Sequence, residues 1–117
     1  MVERRKHPRF PASIPMTITS SDGVMKVMVK TENVGPGGVD FWAAKPIKML
    51  EFVDLTLELG ESGEIIKHRG QVVRCIDFTP LWKKLFSTKK QFSCAIQFEK
   101  LETETLSQLM HFLKEFV

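Results

Sequence analysis

The chain has 117 residues, 43% of them hydrophobic, which suits one domain with a core and excludes both a second domain of ordinary size and wholesale disorder. Net charge is +3, from 17 basic and 14 acidic side chains. No apolar run approaches the ~18–20 residues that cross a bilayer, and the charged amino terminus has no apolar segment behind it, so a cytoplasmic protein without a secretory signal is expected.

Residues 1–12 contain Pro8 and Pro11 and no usable periodicity. They are expected to form a flexible, extended basic arm, because proline disfavours helix at itself and at the residue before it. A single domain is expected over 13–117. Ile14, Met16 and Ile18 alternate with Pro15 and Thr17 as a first strand, and Ser20-Ser21-Asp22-Gly23 is a hairpin signal. Val24 to Thr31 reads as a second strand, with Met25, Val27 and Val29 on one face. Asn33-Val34-Gly35-Pro36-Gly37-Gly38 interrupts, and Val39 to Ala43 resumes.

Residues 45–51 look like a connection. Val53, Leu55, Leu57 and Leu59 then alternate with Asp54, Thr56 and Glu58, the cleanest half-buried strand in the chain. Ile65 to Asp77 predicts a longer strand with a bulge or bend near Gly70. Phe92, Cys94, Ile96 and Phe98 alternate again. The period then changes: Leu106, Leu109, Met110, Leu113, Phe116 and Val117 fall at helical spacing, and a helix is expected at about 103–116, with capping-box spacing at Thr105 and Gln108. Some six antiparallel strands and a final helix predict a mainly β fold, a small Greek-key-like barrel whose open side the helix plugs.

Charge is segregated. Arg4, Arg5, Lys6 and Arg9 crowd the amino terminus, Lys83, Lys84, Lys89 and Lys90 share one segment, and the acids gather at 51–64 and 99–104. Such separation points to an anionic partner. Cys75 and Cys94 are far apart and read as buried thiols. His7, His68 and His111 are scattered, so no metal site is expected.

Two motifs carry chemistry. In Arg4-Arg5-Lys6-His7-Pro8-Arg9, guanidinium forks can bind phosphate bidentately, read the O6/N7 edge of guanine or stack on a purine. Taken alone, the same stretch also reads as a solvated basic tail. In Asn33 to Gly38, glycines allow positive φ and let backbone N–H groups approach an anion. Asn33 can pair with a base edge or cap the turn. An ordinary strand connection fits that stretch as well, and it lacks the Gly-Lys-Ser/Thr of a Walker A loop.

Arg-x-x-x-Arg before the first strand, followed by (Asp/Asn)-x-Ser-x-x-Gly after the second, resembles the signature of PilZ domains, bacterial receptors for cyclic di-GMP. Arg5 and Arg9 match the first motif, with Arg4 adjoining, and Asn33 and Gly38 match the ends of the second. The resemblance extends over the chain, since Gly70-Gln71-Val72-Val73-Arg74 and Ala95-Ile96-Gln97-Phe98 look like later strands of such domains. It implies a six-stranded barrel with a closing helix, a ligand of one or two cyclic di-GMP molecules, and no further cofactor. By the same resemblance Arg5 and Arg9 hold guanine and phosphate, Arg4 assists, Asn33 bonds a guanine and Gly38 keeps the turn open. The arm is then expected to order over the barrel on binding and to alter what an unidentified downstream protein sees, in the control of motility or biofilm formation.

Gly35 departs from the pattern by replacing its serine. A hydrogen bond is worth about 0.5–1.5 kcal/mol between neutral groups and about 1.5–3 to a charged one, so the loss weakens binding by between a few-fold and about a hundredfold. The alternative the resemblance offers is an interaction domain of motility or pilus machinery that has lost the nucleotide.

Leu81-Trp82-Lys83-Lys84-Leu85-Phe86 reads either as a long loop whose aromatics pack on the barrel or as a segment making weak membrane-surface or partner contact through Trp82–Phe86. Trp42 reads as a structural aromatic or as a flank of the ligand site. No catalytic motif is present, so no enzyme is expected. No strand face interleaves aromatic and basic residues, so no specific nucleic-acid binding is expected.

Overall fold

A computed structural model of the chain describes residues 9–60, 63–86 and 90–116. Its first regular hairpin follows from one turn. Asp22 accepts hydrogen bonds from the Ser20 hydroxyl and the Val24 amide, and these hold its carboxyl below the usual aspartate range, the Ser20 contribution being the larger. Gly23 follows at φ +77°, where a Cβ would strain the backbone. The turn joins β2 (Pro15–Ser20) to β3 (Lys26–Gly35). Strands β4 (Gly38–Ala43), β5 (Phe52–Leu59), β6 (Glu64–Asp77) and β7 (Phe92–Phe98) follow, and α2 (Thr103–Phe116) ends the fold.

All pairings are antiparallel, in the order β3-β2-β5-β6-β7-β4, and a further β4–β3 pairing closes the six strands into a barrel. The crossover from β4 to β5 is the connection expected at 45–51. Alternation decides the inside: Ile14, Met16, Ile18, Val53, Leu55, Leu57, Leu59, Phe41 and Ile96 are essentially solvent-free. From α2, Leu109 and Leu113 are equally buried and join the same core. Burying a leucine is worth about 1.5–3 kcal/mol, so these two side chains fix the helix on the barrel. The helix begins at Thr103, which places Thr105 inside it rather than at its cap.

Three features differ from what alternation predicts. Phe10–Pro11 form a short strand, β1, paired with β3. Ala12 donates its amide to the Glu32 carbonyl at 3.1 Å, and the buried Thr31 hydroxyl bridges the Ile14 amide and the Ala12 carbonyl. The end of the basic arm is thus built into the sheet. Secondly, Leu81–Phe86 is a short helix, α1, rather than a loop. Six residues are too few for apolar periodicity to announce a helix.

Thirdly, the irregularity expected near Gly70 lies between Val72 and Arg74. Gly70 has another task, since a Cβ there would press on the Ile96 side chain and lie 2.9 Å from the Gln97 carbonyl. A second irregularity lies between Thr31 and Asn33. Cys75 and Cys94, far apart in sequence, face each other across β6 and β7 with their sulfurs 3.7 Å apart. Burial, then the bond to Cys75, pushes the Cys94 thiol up to about 12, so it is protonated and unreactive at neutral pH.

Candidate functional site

The two bulges decide which side chains meet on the outer wall. Along β3, Val27 and Val29 are partly buried and Thr31 is fully buried. Strict alternation would therefore turn Asn33 inward. Glu32 is the extra residue, so Asn33 pairs with Asp40 and Val34 takes the buried position. Along β6, Ile66, Gly70 and Val72 face the core, and alternation would send Arg74 after them. Val73 is the extra residue here, so Cys75 faces the core opposite Cys94 and Arg74 turns outward opposite Ala95. A one-residue shift exchanges the faces of a strand.

The outcome is one continuous rung on the outer surface. Pro11 pairs with Asn33, Asn33 with Asp40, Asp40 with Ala95, and Ala95 with Arg74. At one end, Arg9 Nη1 donates to Asp40 Oδ2 at 2.9 Å and Asn33 Nδ2 donates to Asp40 Oδ1 at 3.0 Å. The Asp40 carboxylate is 9% exposed and the Arg9 side chain 33%. The acid is therefore shielded, while the guanidinium reaches solvent with donors to spare. At the other end, Arg74 Nε is buried without a hydrogen-bond partner among the described residues. An uncompensated buried donor costs about 1–3 kcal/mol, a cost that an incoming acceptor would relieve.

The rung beside this one starts with Gly35 opposite Gly38 and continues through Gln97 and Gln71 to Phe52. Gly35 lies two residues from Asn33 and by alternation shares its face. Gly38 is not in the left-handed region. It is required because a Cβ there would fall on the Ile96 carbonyl oxygen, so it secures the close approach of β4 to β7. Gly35, Gly38 and Ala95 thus bring little side-chain bulk to this wall beside Arg9, Asn33, Asp40, Arg74 and Gln97, and Gly35 and Ala95 are themselves buried. A planar ring can lie on such a wall while an anion meets the arginines.

Of the residues read from sequence, Arg9, Asn33, Gly35 and Gly38 come together on this wall. Arg4 and Arg5 lie outside the described residues. Asp40 and Arg74 were not singled out by motif or spacing. Asp40 had a signal, an acid between Val39 and Phe41 in an apolar strand. Arg74 had none, because its direction depends on the bulge. Two shallow surface hollows lie elsewhere, one beside His68 and Arg69, the other between Gly60 and the α2 residue His111. Among the described residues no cluster of His, Cys, Asp and Glu could hold a metal ion, and no helix is long and apolar enough to cross a membrane.

Comparison with protein families matches residues 3–115 to the PilZ domain. Curated protein sequences give no match. Among solved structures, the PilZ domain of Escherichia coli YcgR with c-di-GMP superposes with a TM-score of 0.74 at 16% identity, over 97% of this chain and 91% of that one. The K. pneumonia MrkH–c-di-GMP complex gives 0.75 at 17% identity, over 99% of this chain and 52% of MrkH. The Bacillus subtilis inhibitor of motility MotI/DgrA gives 0.73 at 16% identity, over 98% of this chain and 51% of that protein. The chain thus spans about half the length of MrkH and of MotI.

Proposed function

This chain belongs to the PilZ domain family, and on that premise we propose that it is a receptor module for cyclic di-GMP, bound on the outer wall between the basic arm and the Asn33–Arg74 rung. The observation that carries the proposal is the Arg9–Asp40–Asn33 constellation. It joins the second arginine of the first motif to the first residue of the second motif, through a carboxylate that neither motif contains.

In this assignment Asp40 is a positioning residue. It uses one guanidinium nitrogen of Arg9 and one amide nitrogen of Asn33, which leaves the other donors of Arg9 and the amide oxygen of Asn33 for the ligand. Arg9 and Arg5 hold guanine and phosphate, Arg4 assists, and Asn33 bonds a guanine edge. Gly35 leaves the wall without a hydroxyl, and Gly38 keeps β4 against β7. Arg74 borders the far side of the ligand with its guanidinium. Ordering of the arm over the wall changes the surface offered to a downstream protein, and no catalytic step is involved.

Calorimetric titration with cyclic di-GMP tests this. Saturable heat is expected, and Arg9→Ala should reduce affinity by roughly ten- to a hundredfold, the worth of a hydrogen bond to a charged group. An absence of heat at tens of micromolar ligand sinks the receptor proposal. It would favour the second reading, an interaction domain of motility or pilus machinery without nucleotide. What favours that reading is Gly35, together with an Arg9 already engaged by Asp40.

A further inference from the structure

Helix α1 is the part of the chain least absorbed by the fold. None of its residues is buried. Leu81 is 73% exposed, Trp82 62%, Leu85 69% and Phe86 84%. Its attachment is short: the Lys83 and Lys84 amides donate to the Pro80 carbonyl. The apolar surface does not stop at the helix. Trp42 on β4 and Ile76 on β6 are exposed and share a rung through Ser93. Phe78 lies edge-on to Trp42, with ring centroids 6.1 Å apart.

The charge in this stretch of sequence has one sign. From Phe78 to Phe98 the sequence holds Lys83, Lys84, Lys89 and Lys90 and no acid. Lys83 Nζ stands 5.5 Å from the Trp82 ring centroid. The bordering acid Asp77 lies 4.0 Å from Lys84 Nζ, an exposed pair that neutralises little. A short helix standing clear of the barrel, with tryptophan, leucines and phenylalanine among lysines, has the composition of an interfacial anchor. The indole sits at headgroup depth, the apolar side chains enter the acyl boundary, and the lysines reach back to anionic headgroups. A bilayer, unlike a protein partner, needs no complementary cavity to take up exposed apolar side chains flanked by lysines.

We propose that α1, with the exposed Trp42 and Phe78 beside it, docks on a membrane surface rich in anionic phospholipid. The proposal stands independently of nucleotide binding. Co-sedimentation with phosphatidylcholine vesicles, with and without phosphatidylglycerol, tests it. Binding is expected only to the anionic vesicles, weakening as salt rises, with a blue shift of Trp82 fluorescence measured in a Trp42→Phe background. The pair Lys83→Glu and Lys84→Glu should cut partitioning roughly tenfold or more, and Trp82→Ala with Phe86→Ala should do likewise. All substituted residues are surface residues, so unchanged thermal melting serves as the control for folding. No binding, equal binding to neutral vesicles, or indifference to both pairs of substitutions overturns the proposal. So does a dimer, seen by sedimentation velocity, that Trp82→Ala dissolves, since the surface would then be a self-interface.

Discussion

The Asn33–Arg74 wall and helix α1 are built on opposite principles. The wall draws its residues from five strands, and its polar groups are shielded or already bonded. Almost every contact in it is long-range, as between Arg9 and Asp40 or Ala95 and Arg74. Helix α1 is six consecutive residues held by local backbone bonds, and its apolar side chains stay in water. The wall is therefore part of the stability of the barrel, whereas α1 is almost separable from it. A surface that the fold does not use can change without penalty; one made of sheet register cannot.

The comparison breaks most visibly at Gly38. Gly38→Val drives a side chain into the β7 backbone and should cost about 3 kcal/mol, at the upper end of overpacking penalties. Trp82→Ala should stay within about 0.5 kcal/mol, as exposed positions do. Urea denaturation midpoints compare the two, and equal losses would show that α1 is part of the folding unit after all. Asp40→Asn keeps the shape of the wall and removes its carboxylate charge. Cyclic di-GMP affinity should fall by about five- to tenfold, near the worth of an ordinary orienting hydrogen bond. A gain in affinity would instead make the carboxylate a competitor of the ligand.

The smallest effect on affinity is expected for Gly35→Ser, which restores a hydroxyl beside Asn33. Calorimetry should show tightening of about fivefold, the value of one neutral hydrogen bond. An unchanged affinity would mean that the wall, and not the hydroxyl, is what the ligand uses at this position.

Much of the barrel was legible because burial imposes a period of two. Val53 to Leu59 lies in the strand that its alternation indicated, and Leu109 and Leu113 sit where helical spacing put them. The ends of the second motif were legible from their spacing in the family signature, although Asn33 lies within strand β3 and not in a turn, and Gly38 is needed for close approach to the Ile96 carbonyl and not for a positive φ. The bulge in β3 was not, and the one in β6 was expected only as a bulge or bend near Gly70, without its position between Val72 and Arg74, since an extra residue such as Glu32 or Val73 has no composition of its own. It is recognised only against the partner strand, which lies elsewhere in the sequence. That is why Asn33 was found by motif and its partner Asp40 was not, and why Arg74 passed as an ordinary strand residue. The helix at Leu81–Phe86 was missed for the opposite reason, being too local to show a period. The pairing of Phe10 and Pro11 with β3 was hidden by prolines that argue against structure in isolation but suit a sheet edge.

Glu32 has a wider consequence. It acts on the strand as a frameshift acts on a message: everything after it is read on the other side. Straighten the bulge with that residue kept in the strand, and the asparagine moves indoors while Val34 moves out, with the inventory of functional groups intact. Loss of the bulge without loss of its residue would silence the wall more completely than the loss of any contact residue, yet a residue-by-residue inspection of the chain would find both motifs still present.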